Sequence, residues 1–143
     1  MADVPAYFYN QSAVFPCRLR NGRIEILLIS SRRKKHWIIP KGVVEPGLDA
    51  RHSAAKEALE EAGVEGTVEK DSLGTYTYRK WGGTCTVRVF VMQVTLVHDH
   101  WEESYRERLW LPIDDAKKKL NNSQLDNLID SLNEDFPGER FAP

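Results

Sequence analysis

The chain has 143 residues, the length of one ordinary domain and enough to bury a core. Hydrophobic residues make up 41% and charged residues 29%, a balance that excludes a disordered or fibrous protein. The formal net charge of −1 provides no global basic field for nucleic acid, so an anion site must be built locally. We expect a single domain over residues 1–143.

The cysteines and the N-terminus bear on the compartment. Cys17 and Cys85 lie far apart, and two cysteines cannot form a disulfide framework, which favours a reducing environment. The first residues do not resemble a signal peptide, and no apolar run reaches the length of a membrane span. The sequence therefore predicts a cytoplasmic protein with no membrane partner.

The first half of the chain has the pattern of several strands. Residues 7–17 are rich in aromatic and β-branched side chains and predict an extended segment. Asn21-Gly22 predicts a hairpin turn before a mostly buried strand over residues 24–29. Residues 37–39 predict a short apolar strand that ends at Pro40.

A helix follows, and strands then resume. Residues 49–62 are good helix formers, with Asp49 as the expected N-cap and Gly63 as the expected stop. Strands are predicted over residues 73–78, 84–97 and 108–111, and helices over 113–120 and from Ser123 onward. Helices placed among strands, without strict alternation, favour an α+β fold: an α/β/α sandwich with a mixed sheet and flanking helices.

The most informative feature is a cluster of acids on the first helix. Glu57, Glu60 and Glu61 stand at i, i+3 and i+4, so they share one helix face. A hard cation such as Mg²⁺ relieves their repulsion, because it takes oxygen ligands and commonly binds one or two carboxylates plus substrate phosphates. The alternative is a solvated helix face near Lys56. A glycine-rich loop with Gly42 and Gly47 precedes the helix and favours the ligand site.

This stretch resembles the Nudix hydrolase family. The family box reads Gly, five residues, Glu, seven residues, Arg-Glu, an apolar residue, any residue, Glu-Glu, any residue, Gly and an apolar residue. The matching positions here are Gly42, Glu57, Ala58, Glu60, Glu61, Gly63 and Val64. The order of strands and helices also suits the family's sandwich, so the resemblance covers nearly the whole chain.

The resemblance implies a hydrolase of phosphate–phosphate bonds. Glu57, Glu60 and Glu61 would be its catalytic and metal-binding residues, with the Gly42 carbonyl as an additional ligand. The implied cofactor is Mg²⁺, with Mn²⁺ as an alternative, and Glu57 or a nearby acid would be the general base. Two positions depart from the box: Leu48 stands in place of Glu and Lys56 in place of Arg.

Other segments bear on the substrate. Residues 30–37 form a basic turn directly before the box, and together with residues 37–42 and 101–110 this turn resembles the diphosphoinositol polyphosphate and diadenosine polyphosphate branch. By analogy, the candidate phosphate contacts are Arg18, Arg32, Lys41, Arg88 and Arg106. Two alternatives stay open: the turn as a solvated loop, and Arg106 in an ion pair with a neighbouring acid.

A few further side chains are candidates for supporting roles. The acids of the later loop could supply an additional base, namely Glu102, Glu103 and Glu107. Tyr76 and Tyr78 either stack on a base or pack within the sheet. Trp81 stands on an expected hairpin tip and is a candidate ligand contact.

These features are compatible with three functions. The first is hydrolysis of a phosphorylated small molecule, ranked as a diphosphoinositol or dinucleoside polyphosphate before a house-cleaning nucleoside triphosphate. The second is a binding module that has kept the fold and lost catalysis, which the Leu48 and Lys56 departures support. The third, nucleic-acid binding, rests on the basic turn alone and is disfavoured by the balanced charge. The sequence leaves the oligomeric state undetermined.

Overall fold

The computed structural model describes residues 4–134, with side chains as far as Leu132. A 3-10 turn at Ala6–Tyr9 leads into the sheet. The strands are β1 (Asn10–Arg20), β2 (Arg23–Ser30), β3 (Trp37–Ile38), β4 (Lys41–Val43), β5 (Val64–Val68), β6 (Gly74–Lys80), β7 (Gly83–Val97) and β8 (Arg108–Pro112). The helices are α1 (Ala50–Glu57), which continues as a π-helical turn (Ala58–Ala62), α2 (Ile113–Leu120) and α3 (Ser123–Glu134).

Strand β1 organises the sheet. It pairs antiparallel with β2 at one end and with β4 at the other, and parallel with β7 over eight aligned residue pairs. Strand β7 also pairs antiparallel with β5 and β6, and β2 pairs antiparallel with β3 and β8. The predicted mixed sheet is confirmed, and its parallel pair joins segments that lie far apart in the sequence.

Side chains that alternate along β1 and β7 pack on opposite faces of the sheet. Phe15 faces a core with α2 and α3, whereas its neighbour Val14 faces a core with α1. Likewise Val89 packs on the first face and Phe90 on the second. Helices on both faces of one sheet make an α/β/α sandwich, so the predicted fold class is confirmed.

Several local predictions are confirmed. The side chain of Asp49 accepts a hydrogen bond from the His52 N–H and caps α1. Gly63 ends the following π-helical turn in the left-handed region, with φ 67°. Asn21 and Gly22 also have positive φ, 52° and 77°, as a tight two-residue hairpin turn requires.

Three segments differ from the prediction, and one of them is β5 (Val64–Val68), which no predicted strand covers. Residues 7–9, expected to be extended, form the 3-10 turn, because Phe8 N–H bonds back to the carbonyl of Pro5. Residues 41–43, expected in a loop, form β4, because β1 offers its edge to them. Within residues 4–134, no helix combines the length and the apolar character that crossing a membrane requires.

Candidate active site

The site forms where the end of α1 meets β4. Gly42 lies beneath Glu57 so closely that a Cβ on the glycine would stand 2.3 Å from Glu57 Oε1. The adjacent main-chain N–H of Lys41 donates to Glu61 Oε1 at 3.2 Å. Strand β4 therefore bonds the Glu61 carboxylate through its backbone and contacts the Glu57 carboxylate at Gly42, where only glycine leaves room for this approach.

Glu57 and Glu61 are electrostatically coupled. Burial raises the pKa of Glu57 well above its usual value, and the Glu61 carboxylate and a hydrogen bond between the two groups raise it further. Burial also raises the pKa of Glu61, although Arg106 and the Lys41 N–H oppose this. Two half-buried acids that contact each other and have raised pKa values mark a candidate functional site.

The third acid of the predicted cluster, Glu60, raises the pKa of Glu57 through its charge but forms its ion pair with Lys56. The Glu60 carboxylate is 3.3 Å from Lys56 Nζ, and Lys56 Nζ is also 4.0 Å from Glu45. Across residues 4–134, no three acidic, histidine or cysteine side chains converge as a ready cation site. The structure thus unites Glu57 with Glu61, and ligation by Glu60 stays a prediction.

The pair nevertheless fits a hard divalent cation. Two carboxylates whose mutual repulsion raises a pKa are the oxygen donors that Mg²⁺ accepts in proteins, with waters and phosphates completing its shell. The donor set therefore suits Mg²⁺ or Mn²⁺ bound at the pair.

The loop between β7 and β8 fastens the end of the acidic helix. Groups of this loop, together with Arg108 at the start of β8, donate to four consecutive carbonyls, which a helix end leaves without partners of its own. The donors are Glu103 N–H to Glu60 O at 3.0 Å, Trp101 Nε1 to Glu61 O at 3.0 Å, Arg108 Nη1 to Ala62 O at 3.2 Å, and His98 N–H to Gly63 O at 2.8 Å. This loop therefore sets the position of the Glu61 backbone.

Trp101 and Arg108 also pack on each other. The Arg108 guanidinium lies 3.9 Å from the ring centroid of Trp101, a cation–π distance. A Cβ at Gly63 would stand 2.7 Å from this ring. Glycine is therefore needed at position 63 both for the left-handed backbone and for the close packing of the indole. Sequence reasoning missed both residues. In the sequence, Gly63 indicates only where the helix ends, and no local pattern indicates that Trp101 packs against it.

Arg106 occupies a buried ion pair. Its Nε and Nη2 reach Glu103 Oε1 at 3.1 and 2.9 Å, and its Nη1 donates to the Ser30 carbonyl at 2.8 Å. The residue is only 7% exposed. Of the two roles left open for Arg106, the structure favours the ion pair over a phosphate contact, because its donors are engaged. Of the three candidate acids of this loop, Glu103 is the one whose charge raises the pKa of Glu61.

The other predicted phosphate contacts are dispersed. Arg18 pairs with Glu25 at 2.8 Å and lies over Trp110, about 16 Å along β1 from the residue opposite Lys41, at roughly 3.3 Å per residue. Arg32 is exposed in the turn after β2. Arg88 on β7 is separated from Gly42 on β4 by strand β1, where Ser12 pairs with both residues. Its side chain lines a pocket beside the start of α1. Of these four predicted contacts, namely Arg18, Arg32, Lys41 and Arg88, Lys41 is the one that adjoins the carboxylate pair.

Beside Lys41 a cavity of about 210 Å³ opens between the sheet and the α2–α3 connection. Its wall is largely aromatic and apolar, and comprises Trp37, Ile38, Ile39, Tyr76, Tyr78, Leu120, Asn122 and Leu125 as well as Lys41. The rings of Tyr76 and Tyr78 stack with centroids 6.5 Å apart. Trp81, the other suspected contact, instead packs against Phe8 at the hairpin tip.

Comparison with known proteins identifies the class. The NUDIX domain family matches residues 10–132. Diphosphoinositol polyphosphate phosphohydrolase 2 of Rattus norvegicus is 38% identical over 100 residues, which are 67% of this chain and 54% of that protein. Nudix hydrolase 21, chloroplastic, of Arabidopsis thaliana is 33% identical over 115 residues, 78% of this chain and 58% of that protein.

A solved structure agrees in fold. The C. elegans Ap4A hydrolase in a binary complex superposes with a TM-score of 0.71 and 27% identity, covering 87% of this chain and 95% of that one. The fold is thus that of the Nudix hydrolases. The chain belongs to the Nudix family, and the branch suggested by its sequence is among its relatives.

The extent of these matches is also informative. The chain spans about half the length of the curated relatives it matches, 52% and 58% for the first two. Some relatives carry mitochondrial or chloroplastic in their names, so a cytoplasmic location stays a prediction. The assignment of residues 1–143 to one domain likewise stays a prediction.

Proposed function

We propose that this chain is a Mg²⁺-dependent pyrophosphohydrolase that cleaves a phosphate–phosphate bond in a diphosphoinositol polyphosphate or a dinucleoside polyphosphate. The observation that carries the proposal is the coupled pair of Glu57 and Glu61, held against the backbone of Lys41 and Gly42. Burial makes a double negative charge costly there, and a divalent cation with a phosphate chain relieves that cost.

Each part of the site has a role in this reaction. Glu57 and Glu61, with Glu60 turned inward and the Gly42 carbonyl, would hold the cation. When bound, Mg²⁺ neutralises phosphate charge and orients the bridge to be cut. A carboxylate of the pair accepts a proton from the attacking water as its oxygen bonds to phosphorus, and the bridging P–O bond breaks toward the leaving phosphate.

Lys41 is the cation of this chain best placed for the phosphates. It adjoins Glu61 through its main-chain N–H, and its ammonium group faces the aromatic cavity. Burial lowers the pKa of Lys41, whereas Glu61 raises it. Arg32 and the rest of the exposed basic turn could attract a highly charged substrate, because clustered charges raise local anion concentration.

The cavity bears on the choice of substrate. Trp37, Tyr76 and Tyr78 offer flat apolar surface beside Lys41, which suits a nucleobase more than an inositol ring covered in phosphates. This observation favours the dinucleoside polyphosphate within the proposal. It also keeps a nucleoside triphosphate as a second candidate substrate, since that compound would present the same base and phosphates.

The test is turnover of a substrate panel. Purified chain is incubated with diphosphoinositol pentakisphosphate, diadenosine tetraphosphate and nucleoside triphosphates, with Mg²⁺ or with EDTA, and the products are resolved chromatographically. We expect Mg²⁺-dependent release that falls at least 10³-fold in Glu57→Gln and Glu61→Gln, because each removes a charge that contacts the reacting system.

Folding of these variants is checked by thermal melting. Glu65→Gln is a matched control, because Glu65 is an exposed acid on β5 that pairs with His98. It should retain turnover. Activity within a few-fold of wild type in both active-site variants would refute the proposal. Tight Mg²⁺-dependent binding without turnover of any panel member would instead support a binding module.

A further inference from the structure

We propose that Tyr78 is a positioning residue that aims the Lys41 ammonium group at the substrate phosphates. The inference rests on the proposed function, because it assigns Lys41 to phosphate binding. Tyr78 would act through Lys41 and through no contact of its own with the phosphate chain. Neither the family box nor any local sequence pattern pairs these two residues, which lie 37 positions apart.

The geometry begins with two contacts between the side chains. Lys41 Nζ donates to the Tyr78 hydroxyl at 3.2 Å and lies 4.8 Å from the centroid of the same ring. The hydroxyl of Tyr78 therefore accepts a hydrogen bond from the ammonium group, and the ring makes a cation–π contact with the same group. A flexible four-carbon side chain is thereby confined near one orientation, which reduces the entropy that binding must remove.

The hydrogen bonds beyond Tyr78 have a fixed direction. An ammonium group only donates, so the Tyr78 oxygen must accept from Lys41, and its proton goes to Gln11 Oε1 at 2.7 Å. The Gln11 amide nitrogen in turn donates to the Phe8 carbonyl at 3.1 Å, and a carbonyl only accepts. A flipped amide would place its oxygen against the Phe8 carbonyl and lose this bond, which fixes the Gln11 oxygen toward Tyr78.

Burial makes this relay rigid. Gln11 is 2% exposed and lies in β1, while Tyr78 lies in β6 and Lys41 in β4. Three strands thus anchor one chain of hydrogen bonds beneath the site. Lysine has three N–H donors and the bond to Tyr78 uses one, so the others can reach phosphate oxygens beside Glu61.

The experiment is a double-mutant cycle read by binding. Inorganic tripolyphosphate is the probe, because it has no base or ring to occupy the aromatic cavity. Its Kd is measured by calorimetry in EDTA for wild type, Tyr78→Phe, Lys41→Met and the double variant. Tyr78→Phe keeps the ring and the cation–π contact and removes only the hydroxyl.

We expect Tyr78→Phe to weaken binding about tenfold, the effect of losing one hydrogen bond to a charged group. In the Lys41→Met background the same change should alter Kd less than twofold, because Tyr78 acts through Lys41. With the best substrate and Mg²⁺, KM should rise more than kcat falls. Tyr9→Phe is the control, since it removes a comparable hydroxyl that bonds to the Trp81 carbonyl at 2.7 Å.

The outcomes are separable from those of the proposed function. An unchanged Kd in Tyr78→Phe, an equal loss in both backgrounds, or a similar loss in Tyr9→Phe would each overturn the positioning role. An unchanged Kd in Lys41→Met would overturn it too. Failure of wild type to hydrolyse any panel member would refute the proposed function, whereas the binding cycle in EDTA would still report on Tyr78. Thermal melts that match wild type confirm that the variants are folded.

Discussion

Gly42→Ala should separate activity from stability. The new Cβ would lie 2.3 Å from Glu57 Oε1 and 2.4 Å from its Cδ, whereas ordinary contact begins near 3.4 Å. The carboxylate must therefore retreat by the difference, 3.4 − 2.3, or about 1.1 Å. A misplacement of roughly 1 Å in a catalytic group can cost about 10²-fold in rate, or about 2.7 kcal/mol in the barrier.

The backbone should tolerate the same substitution. Gly42 lies in β4 and outside the left-handed region, so an alanine adopts its conformation without strain. Gly→Ala at a compatible position stabilises by about 0.4–1 kcal/mol through the unfolded chain, which offsets part of the cost of moving Glu57. We expect the free energy of unfolding to change by less than about 1 kcal/mol.

Gly22→Ala is the reciprocal control. A Cβ there meets no atom within 4 Å, but φ is +77°, and a left-handed conformation costs an L-residue about 1–2 kcal/mol. This variant should lose stability and keep its kcat. The assays are product release with saturating Mg²⁺ and urea unfolding. If Gly42→Ala kept its kcat within threefold of wild type, the close approach of Gly42 to Glu57 would have no catalytic meaning.

Three other predictions concern the same site. Without metal, the free energy of unfolding should fall as pH rises from about 5 to 9. The pKa values of Glu57 and Glu61 are raised above the unfolded value of 4.5, so the folded state binds more protons than the unfolded state in that window. Melting curves with EDTA should show this fall, and saturating Mg²⁺ should reduce it. Trp101→Phe should raise the Mg²⁺ concentration for half-maximal rate severalfold, because the ring packing survives while the bond to the Glu61 carbonyl is lost, and an unchanged Mg²⁺ dependence would contradict this role. Arg106→Lys should lower the free energy of unfolding by about 2–3 kcal/mol, measured in urea, since lysine cannot reproduce the paired bonds of a buried guanidinium.

Local chemistry made much of the fold predictable. Asp49 caps α1 and Gly63 ends the acidic helix because each residue acts on its own neighbours. The alternating valines Val87, Val89 and Val91 likewise share one face of β7 and pack in one core, as the spacing of a strand requires. The three acids were found because helical spacing is also a local property.

The remaining features depend on contacts between distant segments. Strand β4 exists because β1 offers it a partner, and nothing within residues 41–43 requires an extended conformation. Trp101 donates to the Glu61 carbonyl, 40 positions earlier, and Arg106 donates to the Ser30 carbonyl, 76 positions earlier. Such pairings are set by sheet topology, which a single sequence does not reveal.

The two departures from the family box leave the carboxylate pair intact. Leu48 is 39% exposed in the turn before α1. Lys56 supplies the positive charge beside Glu60 that arginine would supply, although as a single point of contact at 3.3 Å. An exposed pair of this kind is worth only about 0.3–0.5 kcal/mol, so a lysine here costs little. The departures therefore give little support to a module that has lost catalysis, because the buried carboxylate pair that the reaction would use is retained.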